Sequence, residues 1–189
     1  AAEPGCENVD IAADDVHQLV ALAQRERVHL TVVGPEGPLA KGLVDAFRAS
    51  KLRVFGPTRA AAQLESSKSF TKDFLARHGI PTAQYAVFTE IAPALVHLRA
   101  RGAPIVIKAD GLAAGKGVVV AMTLAEAEAA VEDMLGGSLL GEAGARVVIE
   151  DFLDGEEASF IVVADGTDYV PLATSQDNKR VFDGDAGPN

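Results

Sequence analysis

Ile105-Val106-Ile107-Lys108-Ala109-Asp110-Gly111-Leu112-Ala113-Ala114-Gly115-Lys116-Gly117-Val118 is the stretch on which the reading of this chain turns. An apolar, β-branched run ends in a lysine, a loop of small residues follows with a second lysine, and a new apolar run begins. Small residues let backbone N–H groups approach an anion closely, and each lysine adds a compact charge. No Ser or Thr follows Lys116, and a strand rather than a helix follows the loop, so this is not a Walker A loop. The plain alternative is a tight hairpin with solvated lysines. Lys108 favours function more than Lys116 does, because a lysine ending a buried strand needs a partner.

Outward from this stretch the chain reads as two kinds of structure. On the N-terminal side, Asp14 to Arg27 carries an apolar stripe at helical spacing, and His29 to Val33 reads as a buried strand. Gly34-Pro35-Glu36-Gly37-Pro38 breaks that strand, Leu39 to Ala49 resumes a helix, and Val54-Phe55 is a short second strand stopped by Gly56-Pro57. Strand, turn, helix, strand is the order of a parallel α/β sheet. Thr58 to Leu64 reads as a connecting helix and Ser67 to His78 as a clearer one, with Gly79 as its stop and Pro81 beyond. Tyr85 to Phe88, Ile105 to Lys108, Gly117 to Ala121, Arg146 to Glu150, Ser159 to Val163 and Tyr169 to Leu172 read as strands. Between them lie helices at Pro93 to Arg101 and Thr123 to Leu135, the second opened by a capping box of Thr123 and Glu126. The second part is therefore α+β.

Three further segments carry chemistry. In Val147-Val148-Ile149-Glu150-Asp151-Phe152-Leu153-Asp154-Gly155-Glu156-Glu157 a strand leaves through a short acidic link. Such a link can offer backbone groups to the edge of a flat heterocycle, with Phe152 and Leu153 as apolar walls and a carboxylate beyond for ribose hydroxyls. Taken alone, an ordinary acidic turn is the better reading. Ser175-Gln176-Asp177-Asn178-Lys179-Arg180, before the glycine-containing end Asp183 to Asn189, suits phosphate or carboxylate recognition as well as it suits a solvated loop. Gly34-Pro35-Glu36 before a helix is a possible anion site, although Glu36 itself would sooner meet an amine or hydroxyl. His17, His29, His78 and His97 lack ligand spacing, and no metal site is expected within the segment.

Composition limits the alternatives. The 189 residues are 48% hydrophobic, enough for a sizeable core, and a formal charge of −10 argues against coating a nucleic acid. The single Cys6 cannot close an internal disulfide, no apolar run reaches membrane-spanning length, and the N-terminus has no secretory pattern, which together fit a cytoplasmic protein.

In their joint order, Val33 to Leu39, Phe55 to Thr58, Ser67 to Ala83, Ile107 to Val118, Glu150 to Phe160, and Gln176 to Arg180 with Gly184 to Asn189 resemble the glycinamide ribonucleotide synthetase family over essentially the whole chain. The resemblance implies an ATP-grasp fold. Residues 1–64 would form a partial N-terminal parallel α/β (preATP-grasp) domain, and 65–189 a truncated ATP-grasp domain, with 86–153 as its small lid and 154–189 the start of the larger subdomain. It implies ATP-dependent ligation of glycine to 5-phosphoribosylamine through glycyl phosphate. By motif, Lys72 and Lys108 would reach the nucleotide phosphates. Glu150, Asp151, Phe152 and Leu153 would hold adenine, and Glu157 the ribose. Arg180 and Asn189 would contact phosphates, Lys116 would sit on a flap, and Arg180 and Lys108 would act in catalysis. Glu36, Asp177 and Lys179 are the candidates for the substrate side. Mg²⁺ ligands are expected beyond Asn189, and the segment alone is expected to turn over little. A different ATP-grasp ligase and a catalytically silent nucleotide-binding module remain as alternatives, and the oligomeric state is unknown.

Overall fold

A computed structural model describes residues 3–112, 117–137, 145–177 and 181–183. The chain divides into two compact units, 1–152 and 153–189.

The first unit opens with α1 (Val16–Arg25), capped by the Asp15 carboxylate, which accepts the Gln18 N–H at 3.0 Å. β1 (Thr31–Val32) then pairs in parallel with β2 (Val54–Phe55), with Thr31 opposite Val54 and Val32 opposite Phe55. A longer first strand was expected. Its ladder ends early because β2 runs directly into Gly56-Pro57, which leaves no partner further on. The helix expected over Leu39 to Ala49 is also two helices, α2 (Glu36–Ala40) and α3 (Leu43–Ala49). Gly42 divides them at φ +86°, a left-handed conformation outside the helical range. Gly56 approaches both pieces so closely that a Cβ there would lie 3.1 Å from side-chain carbons of Leu39 and Val44. Ala23, Leu43 and Phe47 are buried together, with Val16, Leu19, Val33 and Val54 against them. Parallel pairing with helices beside it follows from the strand–helix–strand order.

Two consecutive helices follow, α4 (Arg59–Ser66) and α5 (Lys68–Arg77), capped by the hydroxyls of Thr58 and Ser67. They lead into a four-stranded antiparallel sheet. β3 (Tyr85–Phe88), β4 (Ile105–Ala109), β5 (Val118–Ala121) and β6 (Val147–Asp151) lie in the order β3-β6-β4-β5. The crossovers are made by α6 (Ile91–Arg101) and α7 (Leu124–Leu135), which pack on one another and on the same sheet face. The expected capping box at α7 is present, with Thr123 and Glu126 each accepting from the other's backbone. Alternate strand residues fill this face. Ile105, Ile107, Ala109, Ala121, Val147 and Ile149 are buried against Ala94, Leu98, Ala127 and Val131 of the helices. This is the main core.

The second unit holds β7 (Val162–Ala164) and β8 (Tyr169–Pro171), an antiparallel hairpin whose strand residues are all exposed. The Asp165 carboxylate shapes its turn by accepting the N–H groups of Thr167 and Asp168, each at 2.8 Å. The strand expected from Ser159 begins instead at Val162. Ser159 itself makes only an isolated bridge to Ser175, so the regular ladder is confined to the residues nearest the turn.

Candidate functional site

The second face of the four-stranded sheet carries the chemistry. Registers place Tyr85, Glu150, Val106 and Val120 in one cross-strand row and Val87, Val148, Lys108 and Val118 in the next. Opposed residues in a row share a face. Lys108 and Glu150 are therefore diagonal neighbours on the two central strands, within reach of each other. α5 packs on β6 and brings Lys72 to the same place.

The three charged groups form one cluster. The Glu150 carboxylate pairs with Lys72 through Oε2 and with Lys108 through Oε1. Glu150 is 5% exposed, and a carboxylate buried to that degree is sustained only by close partners. Lys72 also donates to the Thr82 hydroxyl at 2.7 Å and to the Ala83 carbonyl at 3.4 Å, so its three N–H groups are all engaged. Its ammonium stands 5.9 Å from the centre of the Tyr85 ring. Burial pushes the pKa of the Lys72 ammonium below its ordinary value. Lys108 is more open, with its side chain 29% exposed. Two ammonium groups converge on one carboxylate, in a chain whose formal charge is −10. Toward the edge strand the same face becomes apolar and open, with Val118 and Val120 46% and 50% exposed. Lysine ammonium groups beside an exposed apolar strip suit a ligand with an anionic end and a flat apolar part.

The other candidates are distributed more widely. Asp151 ends β6, pairs with Arg101 and donates its N–H to the Gln84 carbonyl at 2.9 Å. Phe152 is half-buried beside it. Leu153, Glu157 and Asp177 are exposed residues of the second unit. Glu36 is exposed at the first position of α2 and takes no part in the ion pairs of Glu150 with Lys72 and Lys108. Lys116, Lys179, Arg180 and Asn189 lie outside the described residues. The structure therefore joins Lys72, Lys108 and Glu150, and it gives Glu150 a side-chain role where the motif suggested an edge for adenine.

Sequence reasoning missed Asp110, Ser67, Ser69 and Arg146. Asp110 follows β4 directly, and its carboxylate accepts from both serines and from Arg146. The available signal was another charged residue ending the same apolar run, Ile105 to Ala109. Among the described residues no three His, Cys, Asp or Glu side chains converge as a metal site, and no helix is long and apolar enough to cross a membrane.

The fold has counterparts among solved structures. A biotin carboxylase from Campylobacter jejuni, solved as a β,γ-ATP complex, matches 89% of this chain with a TM-score of 0.75 at 16% identity, a likeness of fold. That match spans 39% of the carboxylase chain. The fold is a partial N-terminal α/β domain followed by an incomplete ATP-grasp domain. Residues 66–189 match the family described as phosphoribosylglycinamide synthetase, ATP-grasp (A) domain, and residues 1–65 match the N domain of the same synthetase. The chain belongs to the phosphoribosylglycinamide synthetase family. A phosphoribosylamine–glycine ligase of Xanthomonas campestris is 69% identical over all 189 residues. The crystal structure of the Thermotoga maritima ligase matches with a TM-score of 0.71 at 35% identity, covering 84% of this chain and 38% of that one. The chain spans 44% of the length of the curated relatives it matches.

Proposed function

We propose that this chain supplies the nucleotide-binding part of a phosphoribosylamine–glycine ligase. The observation that carries the reading is the Lys72–Glu150–Lys108 cluster on one sheet face, found in a chain 69% identical to such a ligase. In the reaction, a carboxylate oxygen of glycine attacks the γ-phosphorus of ATP and ADP departs, leaving glycyl phosphate. The amine of 5-phosphoribosylamine then attacks the glycyl carbonyl carbon and phosphate departs. The product is glycinamide ribonucleotide, an intermediate on the route to purines.

Each described residue has a part that follows from its surroundings. Lys108, the more open of the two lysines, meets the phosphates and offsets the charge that develops as the γ-phosphoryl group moves. Lys72, with all three donors engaged, adds field more than direct contact. Glu150 holds both ammonium groups at fixed positions, so little reorganisation is needed when the anion arrives. The strip of Val118 and Val120 gives a flat base an apolar surface. By motif alone, Glu150 to Leu153 supply the adenine edge, Glu157 accepts ribose hydroxyls, and Lys116, Arg180 and Asn189 add phosphate contacts. Arg180 joins Lys108 in catalysis, and Glu36, Asp177 and Lys179 serve the glycine and phosphoribosylamine side. Mg²⁺, were it bound, would offset the negative charge of the phosphates. The described residues offer it no carboxylate cluster. These small molecules are the proposed partners, and the proposed location is the cytoplasm.

The test is product analysis on a chain of the relatives' full length carrying this sequence, with glycine compared against bicarbonate and other amino acids. ATP-dependent formation of glycinamide ribonucleotide is expected. Replacing Lys108 by Met should raise the KM for ATP by roughly ten- to a hundredfold, the worth of a charge-assisted hydrogen bond. No product with glycine, or an unchanged KM for ATP in the Lys108→Met protein, would count against the reading.

A further inference from the structure

Asp110 lies two residues beyond Lys108, and side chains two apart leave a strand on the same side. All of its polar groups are engaged. Its Oδ1 accepts the Ser69 backbone N–H at 2.7 Å and the Ser67 hydroxyl at 3.2 Å. Its Oδ2 accepts the Ser69 hydroxyl at 2.8 Å and Arg146 Nη1 at 3.3 Å. The same Arg146 nitrogen donates to the Ser69 hydroxyl at 3.1 Å. The backbone repeats the attachment. The Asp110 carbonyl accepts the Lys68 N–H at 3.2 Å, and the Asp110 N–H donates to the Arg146 carbonyl at 3.0 Å. The Lys68 ammonium reaches the Gly111 carbonyl at 3.2 Å.

These bonds do more than cap a helix. Ser67 already caps α5 from within its own segment, accepting the Phe70 N–H at 3.2 Å. Asp110 adds an acceptor from just beyond the end of β4, 41 residues along the chain, placed where the N-terminal end of the helix favours negative charge. One helical turn after Ser69 comes Lys72, and two residues before Asp110 comes Lys108. The contact between Asp110 and Ser69 thus ties the backbone that carries one lysine to the backbone that carries the other.

We infer that Asp110 is a positioning residue for the phosphate site. It docks the start of the β4–β5 connection on the first turn of α5, and so fixes the spacing between Lys72 and Lys108. The inference rests on the proposed reading of Lys108 as a phosphate contact with Lys72 as a supporting charge. Without the carboxylate, Ser69 loses the acceptor for its N–H and Arg146 loses its counter-ion, while α5 keeps its own cap and its packing on β6. The helix then persists but is free to shift against β4. Contact from Lys108 and the field of Lys72 reinforce one another on a polyphosphate only while their spacing holds, so the loss falls on the nucleotide. Glycine, a small zwitterion, does not span that spacing.

Steady-state kinetics on the full-length ligase carrying this sequence test the idea, using Asp110→Ala, Asp110→Asn, Ser69→Ala and Lys108→Met. Asp110→Ala should raise the KM for ATP roughly ten- to a hundredfold, the scale of a misplacement of about 1 Å. The KM for glycine should stay within about twofold, a split that general destabilisation would not produce. Asp110→Asn keeps one oxygen for the Ser69 N–H and should show a smaller rise. If Asp110→Ala does not fold, Asp110→Asn and Ser69→Ala decide by the same split. ATP and glycine KM values both within about twofold of the parent, in folded variants, would overturn the inference and leave Asp110 a helix cap. An indifferent Lys108→Met protein would instead remove the phosphate reading on which the inference stands. A damaged Lys108→Met beside indifferent Asp110 variants would overturn the positioning role alone.

Discussion

Ile149 and Glu150 are neighbours on β6, and they live in opposite worlds. Ile149, 1% exposed, sits in the core among Ile107, Val131 and Leu98, under α6 and α7. Glu150 points to the other side, where it meets Lys72 and Lys108. The alternation of a strand, two residues to the repeat, lets one segment supply cohesion on one face and charge on the other. The first face is stabilised by the removal of apolar surface from water, which requires no particular partner. Glu150 has no such latitude, because a buried charge is tolerated only beside its counter-ions. Stability on the helix-covered face is therefore spread over many residues. On the charged face, beside the buried Val106 and Val148, the buried carboxylate depends on two particular partners.

The comparison breaks first at its apolar side. Ile149→Ala should cost about 3–4 kcal/mol, the middle of the range for truncating a fully buried aliphatic residue and leaving a cavity. Urea unfolding checks it, and ATP affinity measured on the fraction that stays folded should be unaltered. A loss below about 1 kcal/mol would mean that α6 and α7 close over the gap, and the face is less tightly packed than its burial suggests.

Glu150→Ala is the matching change on the charged face. It removes the shared counter-ion and leaves two ammonium groups facing each other. A loss of about 2–3 kcal/mol is expected, somewhat below the usual figure for breaking a buried pair because Lys108 retains access to water. The sharper measurement is the double variant. Adding Lys72→Met removes the ammonium that burial already disfavours, so the two losses should not add, and the pair should be more stable than Glu150→Ala alone. Simple additivity would show that the carboxylate and the lysine act independently, contrary to the geometry.

The two faces were also unequally legible in the sequence. The apolar face is local and periodic: Ile105, Ile107, Val147 and Ile149 declare strands, and Thr123 with Glu126 declares the start of α7 where it occurs. The break at Gly42 escaped notice because an apolar stripe runs through it, and one glycine does not reveal from sequence whether its φ is positive. On the charged face, Lys108 was found because a lysine ending an apolar run demands a partner. Glu150 ends its own apolar run in the same way, Val147 to Ile149, yet it read as part of a linker, since its partners Lys72 and Lys108 come from elsewhere in the fold. Asp110 and Arg146 were missed for the same reason, each meeting Ser69 across 41 and 77 residues. Composition and period describe what a segment buries. They do not say which distant segment supplies its counter-charge.

The smallest expected effect lies at the border of the helix-covered face, where His97 of α6 packs its ring 5.2 Å from that of Phe88 on β3. Burial lowers the His97 imidazole below its ordinary value of 6.5, the Arg101 guanidinium lowers it further, and the Asp151 carboxylate partly opposes both. The folded protein therefore binds this proton more weakly than the unfolded chain does. Above 6.5 the ring is neutral in both states and costs nothing. As the pH falls through 6.5 toward the lower folded-state value, the unfolded chain gains the proton first and stability declines; below that value both states are protonated and the decline stops. Urea unfolding at a series of pH values should show this modest slope, and His97→Gln should flatten it, while the ring resonances in the proton NMR spectrum should titrate below 6.5. A midpoint above 6.5 would mean that Asp151 outweighs burial, and that charge reaches into a face otherwise defined by its exclusion.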